Sequence, residues 1–116
     1  MTQNADERLN LFIARVRREQ QVWALVEADE WWMLQAADET SLPVWPSEED
    51  AALWSAAHAP SASPAAITLA LWLERWTPGL VEEHITLAVY PTENPDTVVL
   101  EAEALAELLQ EDPEQQ

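Results

Sequence analysis

Cysteine and lysine are absent from this chain, and glycine occurs once, at Gly79. Without cysteine there can be no disulfide, no thiolate zinc site and no thiol nucleophile. A single glycine cannot supply a G-x-S-x-G nucleophile elbow or a glycine-rich loop that cradles phosphate, so hydrolase-type nucleophilic catalysis and nucleotide binding are not expected. Positive charge is scarce too, with five Arg against 22 Asp and Glu and a formal net charge of −17. Four of those Arg (Arg8, Arg15, Arg17 and Arg18) face only Asp6, Glu7 and Glu19 in the first 20 residues, which leaves that segment near +1 and the remainder near −18. Such a surface repels nucleic acid and anionic lipid, whose binding begins with cations neutralising phosphate. A protein partner with a basic or neutral surface is the one it accommodates, and neither nucleic-acid nor membrane binding is expected.

Long apolar runs are missing as well. The longest uncharged stretch, residues 51–73, carries His58, several Ser and two Pro, and reads as helix, loop and helix rather than a membrane span. Residues 1–6 are polar and lack the apolar region of a signal peptide, so the expected location is cytoplasmic.

What the chain does have is apolar mass. Hydrophobic residues make up 48% of 116 positions and include seven Trp, each able to bury about 150–250 Å². That suits a single domain spanning 1–116, with flexible ends at 1–3 and 112–116.

Asn4 and Glu7 have capping-box spacing, and Leu9, Phe12, Ile13 and Val16 repeat at i, i+3, i+4, i+7, which predicts a first helix. Its Arg15, Arg17 and Arg18 crowd the last turn, where the helix dipole favours cations. Residues 22–26 and 31–34, separated by Ala28, Asp29 and Glu30, predict a β-hairpin. Both faces of that hairpin are apolar, so both must be covered, by helices or by a ligand. Leu42-Pro43-Val44-Trp45-Pro46 is extended because each Pro disfavours helix before it, and its prolines place it at a sheet edge. Ser47 caps a second helix in which Asp50, Leu53, Trp54 and Ala57 share one side, closed by Pro60 and followed by a loop over 60–66. Thr68 caps a third, with Leu69, Trp72, Leu73 and Trp76 as its stripe and Pro78-Gly79 as its end. Ile85, Leu87 and Val89 alternate with Thr86, Ala88 and Tyr90 as a strand with one buried face; 97–100 is a further strand and 101–111 a last helix. The expected fold class is α+β, one compact domain with a mostly antiparallel sheet of four to five strands and three to four packed helices.

Several strings together resemble a known family. They are Val22-Trp23-Ala24-Leu25, Leu42-Pro43-Val44-Trp45-Pro46, Trp72-Leu73-Glu74-Arg75-Trp76, Pro78-Gly79-Leu80 and Ala88-Val89-Tyr90-Pro91. In this order the chain resembles the bacterial family catalogued as Domain of Unknown Function 2750, from the first helix to the last. The resemblance implies a bacterial cytosolic protein and carries over no catalytic residue.

Trp23, Trp31, Trp32 and Trp45 are the candidate binding residues, clustered in the strands where indoles could line a pocket or a partner groove. The plainer reading is core packing, and the adjacent Trp31 and Trp32 must point to opposite faces. Glu48, Glu49 and Asp50 fill the first turn of a helix, where the dipole explains them without a metal. Glu82-Glu83-His84 lacks a second His at ligand spacing, so no metal site and no cofactor is implied. His58 with Ser55, Ser61 and Ser63 offers hydrolase residue types without the elbow. The Arg cluster could grip a phosphate or carboxylate, although pairing with the protein's own acids is the simpler role. No catalytic residue is assigned. The function these residues suggest is a non-enzymatic interaction or regulatory module that uses the Trp-rich strands. Against it stand a small-molecule-binding protein or enzyme with a Trp-lined pocket, and a nucleic-acid mimic.

Self-repulsion among unpaired acids is screened by salt. Melting temperature should therefore rise between roughly 0.01 and 0.15 M salt; a flat or falling profile would show that the carboxylates are compensated locally.

Overall fold

The computed structural model describes residues 5–36, 39–92 and 97–110, the side chains of Ala5 and Ala36 excepted. The expected Asn4 cap and the flexible ends at 1–3 and 112–116 lie outside them. In chain order the elements are α1 (Ala5–Glu19), β1 (Gln21–Glu27), β2 (Glu30–Trp31), β3 (Leu34–Ala36), β4 (Glu39–Val44), α2 (Glu48–His58) and β5 (Ser63–Thr68). A helical run follows, made of α3 (Leu69–Leu71), a π-helical turn (Trp72–Trp76) and α4 (Thr77–Glu82), and then β6 (Thr86–Val89), β7 (Val98–Glu101) and α5 (Ala102–Gln110). The fold is α+β. Its described strands form two sheets, ordered β2-β1-β5 and β3-β4-β6-β7, where one sheet was expected. All pairings are antiparallel except β4 with β6.

The expected hairpin is real but short. Ala28 and Asp29 both take positive φ, 53° and 66°, which gives the two-residue turn whose twist matches a hairpin. Pairing then ends at Val26 with Trp31, and Leu34 joins β3 in the other sheet. The chain therefore changes sheets just after the two adjacent Trp.

Both faces of β1 are covered, as its apolar parities require. Val22 and Ala24 enter the main core with Phe12 and Val16 of α1, Leu42 and Val44 of β4, Leu87 and Val89 of β6, Trp72, and Leu105 and Leu109 of α5. Leu25 turns the other way, into a smaller core with Trp45, Ala51, Ala59 and Ala62 beneath α2, and Trp23 packs against that cluster. The sheets meet at one isolated bridge, where Trp23 N–H donates to the Trp45 carbonyl at 3.0 Å and Trp45 N–H to the Trp23 carbonyl at 2.8 Å.

Four expectations are corrected. First, the segment holding Pro43 lies inside a sheet, between β3 and β6. Backbone groups of successive strand residues point to opposite neighbours, and Val44 faces β6, where its carbonyl accepts from Tyr90 N–H at 2.8 Å. Pro43 consequently faces the β3 side, beyond the last pair of that ladder, Leu34 with Ser41, so its missing N–H breaks nothing. Second, the supposed loop at 60–66 gives way from Ser63 to β5, which pairs along the whole of β1 from Gln21 with Thr68 to Val26 with Ser63. Pro64 is tolerated because β5 is an edge.

Third, helix does not stop at Pro78-Gly79. Thr77 N–H reaches back five residues to the Trp72 carbonyl, and the Thr77 hydroxyl donates to the same oxygen at 3.0 Å. This widened turn accommodates the proline ring that an α-helical ladder would reject, and the run continues to Glu82. Its left-handed terminator is His84, with φ of 59°, and not Gly79. Ile85 N–H donates to the Leu80 carbonyl at 2.9 Å and His84 N–H to that of Val81 at 3.2 Å, the paired bonds of a Schellman stop. Fourth, β6 is buried at Ala88 as well as at Leu87 and Val89, so the face expected to be open is covered there too.

Trp45 and Trp72 are both fully buried, but only Trp45 has a partner for its indole N–H, the Pro91 carbonyl at 2.9 Å. Trp72 Nε1 has none among the described residues. Trp45→Phe leaves a buried carbonyl unsatisfied, whereas Trp72→Phe removes a donor that was already unpaired. Urea unfolding should show Trp45→Phe costing about 1–3 kcal/mol more than Trp72→Phe; equal losses would deny the bond its role.

Candidate functional site

Of the four Trp singled out in the strands, Trp45 has no exposed surface, and Trp23, Trp31 and Trp32 are half-buried. Trp45 thus supports its neighbours and cannot itself touch a ligand. Trp31 and Trp32 diverge, one to each core. Trp31 meets Trp76 edge to face, with ring centres 4.6 Å apart at 87°, and Trp76 stacks on Trp72 at 5.7 Å. With Met33, Arg75, Leu80, Glu83 and Ile85, Trp31 and Trp76 line an open groove of about 260 Å³.

Trp32 meets Trp54 of α2 at 5.3 Å; Trp54 also touches Trp45 at 5.4 Å and carries the His58 ring stacked on it at 4.6 Å. This second aromatic set lies beside the outer face of α2. That helix packs through Ala51 and Ser55, which are buried; Trp54 is half-buried, and Leu53 is 73% exposed with Ala52, Ala56 and Ala57.

The other candidates resolve into structural roles. Ser47 caps α2, its Oγ accepting from Asp50 N–H at 3.2 Å and donating to the Asp50 carboxylate at 2.7 Å. Ser55 Oγ donates to the Ala62 carbonyl at 3.0 Å and not to His58. Among the described residues no cluster of His, Cys, Asp and Glu is placed to hold a metal.

A cleft larger than that groove lies elsewhere among the described residues and depends on a residue that sequence reading passed over. Arg8, Leu11, Arg15 and Arg18 are spaced by three and four residues and therefore share one side of α1, next to the side whose Phe12 and Val16 are buried. Leu11, Ala14, Arg15 and Arg18 form one wall of a cleft of about 440 Å³, and Pro46, Asp50 and Tyr90 form the other. Tyr90 takes left-handed φ of 53°, an uncommon state for a bulky residue. Its N–H is held by Val44, and its carbonyl accepts from Nε of the buried Arg8 at 3.2 Å. That backbone sets the phenol in the same wall of the cleft as Asp50.

A family model described as "Protein of unknown function (DUF2750)" matches residues 9–109. The chain belongs to the DUF2750 family. No curated protein matches it. The family range spans every part of both aromatic sets and of the cleft, from Leu11 to Tyr90. Among the described residues, no helix of this DUF2750 chain is long and apolar enough to cross a membrane.

Burial raises the pKa of Tyr90, and the negative charge and hydrogen bond of Asp50 add to it; Arg15 and Arg8 pull the other way, and the phenol ends pushed up to about 12. The folded state thus binds the proton more tightly than the unfolded chain, whose phenol titrates near 10. Its stabilising contribution is whole below pH 10 and is lost as pH climbs toward 12. Tyr90 is the chain's one Tyr, so near-ultraviolet absorbance of tyrosinate reports it alone. The expected midpoint is about 12 in the native protein, falling in Asp50→Asn; a native midpoint at 10 would separate the phenol from Asp50.

Proposed function

We propose that this DUF2750 protein is a non-enzymatic interaction module that docks an amphipathic helix of a basic or neutral protein on the outer face of α2 and the adjoining Trp32. The observation that carries the reading is the character of α2. Past its acidic first turn the one polar residue before His58 is the buried Ser55, so the outward side is apolar: Leu53 is 73% exposed, and Ala52, Ala56 and Ala57 are exposed beside it. A helix at a water surface ordinarily carries a polar outer stripe. Small side chains permit close approach of a second helix, and Trp54 and Trp32 supply half-buried aromatic anchors of the kind that dominate interfaces.

Charge selects the occupant. Exposed Glu48 and Glu49 open α2, and Glu27, Asp29 and Glu30 sit at the hairpin tip that leads to Trp32. A second copy, also at −17, would be repelled, whereas a basic helix would be steered in.

The test installs a photo-crosslinker at position 53 of the full chain and then measures binding of the purified captured protein. The reading expects a basic or neutral protein crosslinked through a helix, weakened about tenfold or more by Leu53→Glu and unaffected by Val99→Glu on β7. Leu53→Glu should change stability by less than about 0.5 kcal/mol because the site is exposed. Equal effects of the two substitutions, or none from Leu53→Glu, would overturn it.

A further inference from the structure

We propose that the cleft between α1 and the Tyr90 corner binds a small oxyanion, a carboxylate or phosphate monoester, that carries a hydroxyl or other hydrogen-bond donor beside its charge. The inference is independent of the docking face on α2.

The distribution of charge is the first support. In a chain with 22 carboxylates and five Arg, two of the five line one wall of one cleft. Arg15 is in ion-pair contact with no carboxylate among the described residues. Among the described residues Arg18 pairs only with its exposed neighbour Glu19, at 3.4 Å, a contact screened by water and easily exchanged. Guanidinium forks present several N–H donors in the plane that carboxylate and phosphate oxygens recognise. The acids elsewhere do not forbid an anion here, because at physiological salt charges more than about 8 Å away are largely screened.

The opposite wall determines what else the ligand must carry. Asp50 accepts from Ser47 Oγ at 2.7 Å and lines that wall together with the Tyr90 phenol. The carboxylate offers the cleft acceptors rather than donors, and the phenol oxygen can accept as well. A plain anion would meet Asp50 as a like charge. An anion with a hydroxyl a few bonds from its oxygens satisfies both walls, with the head group on Arg15 and Arg18 and the donor on Asp50 or Tyr90. Leu11, Ala14 and Pro46 supply apolar surface for a short carbon skeleton.

The strain at Tyr90 is the second support. Left-handed backbone at a bulky residue costs on the order of 1–3 kcal/mol and persists where the surroundings impose it. Here Val44 and the buried Arg8 hold both backbone groups of that residue. The consequence of the strain is the position of one phenol against Asp50 in the cleft.

The experiment titrates the full chain calorimetrically at 0.15 M salt with two matched pairs, malate against succinate and glycerol 3-phosphate against methyl phosphate. One pair should bind, which identifies the head group, and its hydroxyl-bearing member should bind about tenfold tighter, the worth of one charge-assisted hydrogen bond. Arg15→Gln should weaken that member about tenfold, and Asp50→Asn should abolish the difference within the pair. Arg75→Gln removes the same formal charge away from the cleft and should leave affinity unchanged. No binding of any of the four at millimolar concentration would overturn the proposal. So would equal affinities within each pair, or an Arg75→Gln loss as large as that of Arg15→Gln.

Discussion

The whole arrangement turns on Trp45. Its backbone pairs with Trp23 and so joins the centre of one sheet to the end of a strand in the other, and its indole N–H fastens the Pro91 carbonyl beyond β6. A fully buried indole with every polar group paired contributes through apolar area and through groups that would be costly to leave unpaired. Without it, the two sheets would share no described backbone bridge, and the chain after Val89 would lose a tether.

Each surface feature depends on that junction. Pro91 follows Tyr90, so the bond from Trp45 helps to hold the corner at which Tyr90 adopts its left-handed backbone, and the phenol then reaches Asp50 in the first turn of α2. Trp45 also meets Trp54, which in turn carries Trp32 and His58. The cleft and the aromatic set of α2 therefore share one buried support. The change of sheet between β2 and β3 divides Trp31 from Trp32 and gives each an aromatic partner of its own.

Much of this was legible locally. The stripe Leu9, Phe12, Ile13 and Val16 specified α1, the Ser47 and Thr68 caps are where their side chains indicated, and the two-sided apolar pattern of β1 correctly required cover on both faces. What failed had non-local causes. Ser63, Pro64 and Ala65 have turn-forming and weakly strand-forming character, and they become a strand because β1 offers a full-length partner. Pro78-Gly79 is a natural helix stop, overridden by a π-turn closed by Thr77. Which side of α2 packs was not legible because, beyond its acidic first turn, small and apolar residues lie on most of its circumference and leave periodicity little to discriminate. Tyr90 carried no signal beyond its being the one tyrosine, since its place in the alternation put it on the open face of a strand and did not show the turn of backbone there. The basic stripe of α1 was visible, but what it faces was not.

Composition and short-range pattern by themselves determined the α+β class, the acidic and cysteine-free chemistry, the absence of glycine-dependent catalytic loops, and the membership that the Pro- and Trp-bearing strings suggested. These are properties of residues or of neighbours within one turn or one strand, where sequence distance and spatial distance agree. Only the tertiary structure decided that Pro43 belongs inside a sheet, that Trp45 is sealed while Leu53 is bare, and that Arg15 and Arg18 look across a cleft at Tyr90 and Asp50. Those facts depend on which segments far apart in the chain come to lie side by side, and burial and electrostatics respond to that proximity and not to order along the backbone.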